Sequence, residues 1–331
     1  MDLFTHALTS AALDRAGLRM LSRQSLPILI ASGVAADLDL LSYFGGASAY
    51  LRWHDTILHS LLGSAIVAVA VAMIFWFAWR KNAKAPLRFG PVLLLSSIGA
   101  GAHLLLDLAT VNGVQLFWPF RAGSIGSDWL NGIDAWILAI LVVGLLLPGL
   151  FRLVSEEIGV RKKGNAPSKM AIAALVVVAL YIGLRAEMHA SAVQELLSRE
   201  YHGRIPLTAG AFPDPTSPFS WYGVVNTPNT IETLEVRAGP AGSLDADSSL
   251  THFKPDNSQA LDAARRAPLA RRFLAYARFP IAEIDSFDGG FRVTLRDLRF
   301  PGGSDAAGNM AAVIELDQRL AVRDEEIQFA H

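Results

Sequence analysis

The sequence contains no cysteine among its 331 residues, so disulfides and thiolate-ligated metals are excluded. Histidine and carboxylate side chains are then the strong ligands that remain for a metal ion. The formal net charge is −1, and we expect no nucleic-acid partner because such binding needs a basic excess. The sequence also lacks a glycine-rich phosphate loop and a nucleophile elbow. These absences leave its hydrophobic segments and its ionisable residues as the informative features.

Charged residues are also missing from long stretches of the first 190 residues. Residues 60–79 hold no charge over twenty positions, which is enough to cross a hydrocarbon core about 30 Å thick. Four further apolar segments occupy residues 25–51, 89–111, 135–151 and 170–184. A soluble core helix could explain one such segment but not five. The pattern predicts a multi-pass α-helical membrane domain over residues 1–190.

Residues 191–331 differ in character and predict a small α+β extramembrane domain. They contain fourteen Lys/Arg and nineteen Asp/Glu residues, with frequent proline and glycine. Short alternating segments at 233–236, 290–295 and 311–316 are typical of strands. Residues 257–277 have the spacing of one amphipathic helix.

The loop charges predict the orientation of the chain. Basic residues cluster at 80–88 and at 152–169, between apolar segments, and the positive-inside rule places both loops in the cytoplasm. The C-terminal domain then lies on the outer side of the membrane. The same threading brings most ionisable groups of the spans into their outer halves.

Seven potential metal ligands lie inside or beside the apolar segments. Ionisable groups at membrane depth are costly and usually mark a functional site. A shared divalent ion would satisfy them together, with zinc preferred and manganese or iron as alternatives. Seven groups exceed the four ligands of one zinc, so two ions or outer supporting residues are expected. The predicted ligands are His6, Asp37, Asp39, His54, His59, His103 and Asp107.

The spacing of these residues leaves alternatives open. His103 and Asp107 are four residues apart and share a helix face, which suits either one ion or a simple His–Asp hydrogen bond. Asp37 and Asp39 point in different directions on a regular helix, so both can bind only if the helix ends or bends there. His54 is expected in a loop and His59 in the first turn of the next span.

Two carboxylates are candidates for the catalytic general base, Asp39 and Asp134. Asp134 precedes an apolar segment, so it could equally be a favourable charge at a helix N-terminus. His6 lies on a short helix at the start of the chain and is a weak candidate ligand when it is considered alone.

The order of these motifs resembles the YdjM-like family of LexA-regulated inner-membrane metal-dependent hydrolases. The resemblance covers about residues 1–140, and residues 218–222 are similar to a Pro-x-Trp feature after the family's last span. Two positions depart from the family pattern: Asp55 replaces an arginine and Leu58 replaces a threonine. If that arginine contacts an anionic substrate, Asp55 implies a different substrate class. The matching residues are Asp2, His6, Gly33, Asp37, Asp39, His54, His59, Ser60, His103, Asp107, Pro119, Phe120 and Asp134.

The resemblance implies a metal-dependent hydrolase in the bacterial inner membrane. A site in the outer half of the spans is well placed to meet a lipid phosphoester or ester, so membrane lipid and a lipid or small-molecule substrate are the expected partners. The alternatives are a metal-ion transporter and a non-catalytic membrane protein. A transport path should place polar groups through both leaflets, and this distribution favours the enzyme.

Overall fold

The computed structural model describes residues 1–46, 49, 53, 56–81, 86–121, 123–157, 168–237, 244–299 and 310–329. The chain divides into two compact units. The first unit comprises Met1–Leu40 and Asp55–Arg185, and the second comprises Leu41–His54 and Ala186–His331.

The first unit is helical. Its helices are α1 (Leu3–Ala16), α2 (Ser25–Val34), α3 (Leu61–Trp79), α4 (Phe89–Leu108), α5 (Ala135–Glu157) and α6 (Lys169–Leu197), the last continuing into the second unit. A short 3₁₀ turn, Leu18–Met20, follows α1, and a longer 3₁₀ segment, Ala36–Gly45, follows α2.

Three of the described helices, α3, α4 and α6, are long and apolar enough to cross a membrane. Helix α2 and the 3₁₀ segment Ala36–Gly45 pass the same test together and are bent by 42° relative to each other. The described apolar part of α5 is shorter, Ala135–Leu147. The predicted multi-pass helical membrane domain is confirmed.

Helices α1, α2 and α4 approach one another closely through glycine. Helix α4 packs against α2 and α3, and α1 packs against α2 and α5. A Cβ at Gly99 of α4 would lie 2.8 Å from the Leu29 carbonyl oxygen and 2.1 Å from Ser32 Oγ of α2. A Cβ at Gly33 of α2 would lie 2.4 Å from Ser10 Oγ of α1. Because Gly33 and Gly99 have no side chain, the three helices can approach one another this closely.

The second unit contains two four-stranded antiparallel sheets, each in sequential strand order. Their strands are β1 (Thr208–Pro213), β2 (Ser220–Asn226), β3 (Thr230–Arg237), β4 (Leu250–Phe253), β5 (Pro280–Phe287), β6 (Gly290–Asp297), β7 (Met310–Asp317) and β8 (Val322–Phe329). The three predicted strand segments lie within β3, β6 and β7, and most side chains of these strands are buried. The predicted α+β domain is confirmed.

The prediction of one helix over residues 257–277 was wrong. Two helices occupy this segment, α7 (Gln259–Arg266) and α8 (Pro268–Tyr276). Proline disfavours the helical conformation of the residue before it, and Ala267 accordingly adopts ψ 141°. Both helices still bury their apolar side, with Leu261 and Phe273 packed against the β5–β8 sheet.

The close approach at Gly99 generates a stability prediction. Gly99→Ala should lower the free energy of unfolding by about 1–3 kcal/mol, because its Cβ meets a backbone oxygen that cannot rotate away. Gly101→Ala on the same helix is the matched control, since a Cβ there meets nothing within 4 Å. Thermal unfolding in detergent, followed by circular dichroism, measures both. Equal melting temperatures for the two variants would contradict the packing described.

Candidate metal centre

Six of the seven predicted ligands lie in the described part of the first unit. Helix α1 carries His6, the 3₁₀ segment carries Asp37 and Asp39, and α4 carries the last pair, His103 and Asp107. His59 precedes α3 and is not in its first turn as predicted, because Ser60 caps that helix by accepting from the Gly63 amide at 2.9 Å. His54 lies outside the described residues.

The first group of ligand atoms joins α1 to α4. Asp107 Oδ1 lies 3.1 Å from His6 Nε2, and Asp107 Oδ2 lies 2.9 Å from His103 Nε2. The amino group of Met1 also contacts Asp107 Oδ1. All three side chains are buried, and their candidate ligand atoms fall within 4.8 Å of one another. One carboxylate and two imidazoles at this separation can ligate a single ion.

The second group adds the 3₁₀ segment and the turn before α3. It consists of Asp37, His59 and His103, whose candidate ligand atoms also lie within 4.8 Å of one another. Asp37 Oδ1 is 3.8 Å from His59 Nε2 and 3.9 Å from His103 Nε2. The two groups share His103, and His59 Nε2 is 3.4 Å from Asp107 Oδ2 in the first group. The five residues therefore form one continuous cluster, called here the ligand cluster.

Several polar atoms of the ligand cluster are buried without a hydrogen bond. His103 Nε2 and Asp107 Oδ2 are close together but lack hydrogen-bond geometry. Buried polar atoms are nearly always hydrogen-bonded in folded proteins, so each exception needs an explanation. A divalent cation in the ligand cluster would satisfy those of the atoms that face its centre. Within the described residues, the atoms concerned are His6 Nδ1, Asp37 Oδ2, His103 Nε2 and Asp107 Oδ2.

The orientation of His103 is fixed from outside the cluster. Its Nδ1 lies 2.8 Å from the Gly33 carbonyl oxygen. A carbonyl only accepts, so Nδ1 carries the proton and Nε2 keeps its lone pair toward Asp107 and Asp37. Histidines that ligate metals typically donate their other ring N–H to such a group. The close approach of α2 and α4 thus presets the tautomer that metal binding needs.

Asp39 occupies a different position from Asp37. Its Oδ2 lies 3.0 Å from His59 Nδ1, the ring nitrogen that faces away from Asp107. Asp39 belongs to neither group of ligand atoms among the described residues. Carboxylates in this position, on the far side of the imidazole from the metal, typically orient a metal-ligating histidine, here His59.

The break after α2 makes these separate positions possible. The bend of 42° and the change to 3₁₀ geometry begin at Ala36, so Asp37 and Asp39 are not held on the opposed faces of an α-helix. Leu38 between them is 62% exposed. The sequence analysis required the helix to end or bend here if both aspartates are to bind, and the structure shows such a bend.

Asp134 immediately precedes α5 and contacts both that helix and α6. Its Oδ1 accepts from the backbone amides of Trp136 at 3.0 Å and Ile137 at 3.1 Å. Its Oδ2 accepts from the Tyr181 hydroxyl at 3.2 Å. The two amide contacts are those of a helix cap, which agrees with the alternative prediction of a favourable charge at a helix N-terminus.

A cluster that the sequence did not reveal surrounds Glu232 on β3 in the second unit. This buried carboxylate accepts from Thr230 and Thr251 at 2.7 Å and from Arg204 at 3.3 Å. Burial alone would raise the pKa of Glu232, but the hydroxyl donors outweigh it and lower the pKa. The carboxylate is stabilised by its donors, and the alternating pattern of β3 gives no signal for it.

Ser249 and His202 also border Glu232 but do not form a nucleophile relay. Ser249 Oγ lies 3.3 Å from His202 Nε2, and the same ring nitrogen is 4.0 Å from Glu232. A relay needs the nucleophile and the orienting carboxylate on opposite ring nitrogens of the histidine. We therefore interpret this cluster as structural.

Comparison with known protein families finds one matching family, described as YdjM inner membrane protein, over residues 1–192. Comparisons with the curated proteins and with the solved structures find no match. The matched region covers more than half of the chain and contains every residue of the ligand cluster. The chain belongs to the YdjM inner membrane protein family.

Proposed function

We propose that this membrane protein is a metal-dependent hydrolase whose centre is the ligand cluster. The observation that carries the proposal is the convergence of five buried His and Asp side chains from separate elements. Placing several ionisable groups together in an apolar helical unit is costly. Such a cost is explained if the groups share a ligand.

The donor set fits a borderline divalent ion. Three imidazoles and two carboxylates suit zinc, manganese or iron, and the small number of oxygen ligands disfavours calcium. His6, His103 and Asp107 would hold one ion, and Asp37 and His59 would hold a second ion or complete the first. Zinc is the preferred ion because tetrahedral His/Asp sites are common for it.

The bound ion would lower the pKa of its water and polarise a phosphoryl or acyl oxygen. The Gly33 carbonyl accepts from His103 Nδ1, and Asp39 Oδ2 faces His59 Nδ1 at 3.0 Å, so both Nε2 atoms are directed into the cluster. Asp39 is our preferred general base because it adjoins the ligand cluster without belonging to either described group of ligand atoms, whereas Asp134 caps α5.

The substrate proposed for this centre is a membrane lipid with a phosphoester or ester group. Apolar side chains next to the ligands face outward: Leu38 lies between Asp37 and Asp39, and Leu105 of α4 lies between His103 and Asp107. They are 62% and 69% exposed. These exposed apolar side chains lie on the outer side of the elements that carry the ligands, so an amphiphilic molecule in the lipid phase would meet the unit that holds the centre.

Metal content tests the site itself. Purified wild-type protein should contain at least one equivalent of zinc, manganese or iron. His103→Ala should abolish stoichiometric binding because His103 belongs to both groups. Asp39→Asn should retain a weaker site, with affinity reduced about 10–100-fold, the usual effect of losing an outer carboxylate. Mass spectrometry with inductively coupled plasma measures the metal-to-protein ratio.

His252→Ala is the matched control for metal content, since this histidine lies on β4 and contacts Thr233 outside the ligand cluster. It should bind as much metal as the wild type. Metal-free wild-type protein after reconstitution, or equal metal in all variants, would refute the site.

Hydrolysis of labelled phospholipids in detergent tests the enzyme. The metal-loaded wild type should release product, and Asp39→Asn should lower kcat by about 10²–10⁴-fold, the usual contribution of a general base. Asp134→Asn should change kcat little if this residue is only a cap. Metal uptake into proteoliposomes without lipid hydrolysis would favour the transporter instead.

The proposed orientation places the C-terminal unit outside the cytoplasm. The chain has no cysteine, so single cysteines can report sidedness without a background signal. In spheroplasts a membrane-impermeant maleimide should label Asp262→Cys on α7 but label Lys81→Cys after α3 only once the membrane is permeabilised. The reverse pattern would overturn the orientation.

A further inference from the structure

A cleft of about 510 Å³ lies in the second unit, and its described lining includes no residue of the ligand cluster. It is bordered by the turn between β2 and β3, the segment after β4, helix α7 and the start of β5. The volume falls within the range typical of small-molecule sites. The function proposed above does not use this cleft.

The lining of the cleft is basic, whereas the C-terminal segment as a whole is acidic. Residues 191–331 carry nineteen acidic and fourteen basic residues, yet among the described residues the cleft lining holds three cations and one carboxylate. The cations are Lys254, Arg265 and Arg278, and the carboxylate is Asp256. Because the domain is acidic overall, a local basic excess indicates an anionic ligand.

Lys254 is held in place without a carboxylate. Its ammonium donates to the carbonyl oxygens of Thr227 at 2.5 Å and Pro228 at 3.4 Å, and forms no ion pair with the described residues. Burial lowers the pKa of Lys254. An ammonium has three donors, so one N–H remains for a ligand after these two contacts.

The two arginines come from different elements. The Arg278 guanidinium lies 5.3 Å from the centre of the Phe212 ring, and its backbone amide donates to buried Asp297 at 3.1 Å. Arg265 lies in the last turn of α7 and makes no ion pair with the described residues. Arginine forks match the oxygens of a phosphoryl group.

The remaining lining adds neutral donors and apolar surface. Asn229 and Asn257 supply carboxamides, and Ile231 and Ala282 supply apolar contacts. A cleft of this size exceeds what a bare phosphate ion fills. The lining therefore suits an organic group attached to the anion.

We propose that the cleft bordered by Lys254, Arg265 and Arg278 is a binding site for a phosphoryl-bearing organic anion. The phosphoryl oxygens contact the three cations, and the attached group lies against the carboxamides and the apolar lining. A soluble phosphate ester and a phospholipid head group share this chemistry.

Calorimetric titration of the full-length protein tests the site. The protein is kept in neutral maltoside detergent and freed of metal with EDTA, so that phosphate cannot bind at the ligand cluster. Glycerol 3-phosphate and inorganic phosphate are the soluble probes, and glycerol is the uncharged control. Nanodiscs of phosphatidylglycerol, compared with phosphatidylcholine nanodiscs, supply the lipid probe in a separate binding assay.

Arg265→Gln should weaken binding of the recognised probe about tenfold. Arg266→Gln, the adjacent exposed arginine that does not line the cleft, should leave binding unchanged. Lys254→Met should also weaken binding, and Arg265→Gln keeps the test valid if Lys254→Met fails to fold. His103→Ala should bind like the wild type, which separates this site from the proposed hydrolase centre.

The pattern of probes identifies the source of the ligand. Binding of glycerol 3-phosphate supports a soluble ester, and selective binding of phosphatidylglycerol nanodiscs supports a lipid head group. Either result, with the loss in Arg265→Gln, supports the site. Binding of none of the probes, or equal binding by wild type, Arg265→Gln and Lys254→Met, overturns it.

Discussion

The cost of burying ionisable side chains among apolar helices is the constraint on which this structure depends. His6, His103 and Asp107 are all nearly inaccessible to solvent, and an unmatched charge in such surroundings is strongly destabilising. Their mutual contacts offset part of this cost but leave several polar atoms unsatisfied. The close packing of α1, α2 and α4 and the break after α2 serve to bring these groups together.

Local spacing made part of the site predictable. His103 and Asp107 share a helix face at four-residue spacing, and in the structure His103 Nε2 lies 2.9 Å from Asp107 Oδ2. The pairing of His6 with Asp107 links residues 101 positions apart, and no local pattern encodes that contact. The role of Gly33 was also hidden, because its carbonyl orients His103 only once α2 and α4 approach each other.

Hydropathy predicted the elements of the fold that depend on the composition of a whole segment. The prediction failed where a single residue determines the structure. Long apolar segments predicted helices of the first unit, and alternation of polar and apolar residues predicted β3, β6 and β7. Helical periodicity continued across Ala267 and concealed the break imposed by Pro268. The basic cleft was not predictable, since Lys254, Arg265 and Arg278 come from separate elements brought together only by the fold.

In the proposed centre, histidine and aspartate side chains from α1, the 3₁₀ segment and α4 bind the metal ion. X-ray absorption spectroscopy at the edge of the metal copurified with the wild-type protein observes these ligands directly. We expect a shell of nitrogen and oxygen ligands at about 2.0–2.2 Å, with the scattering signature of imidazole. A shell of oxygen alone without imidazole scattering, or no bound metal, would contradict it.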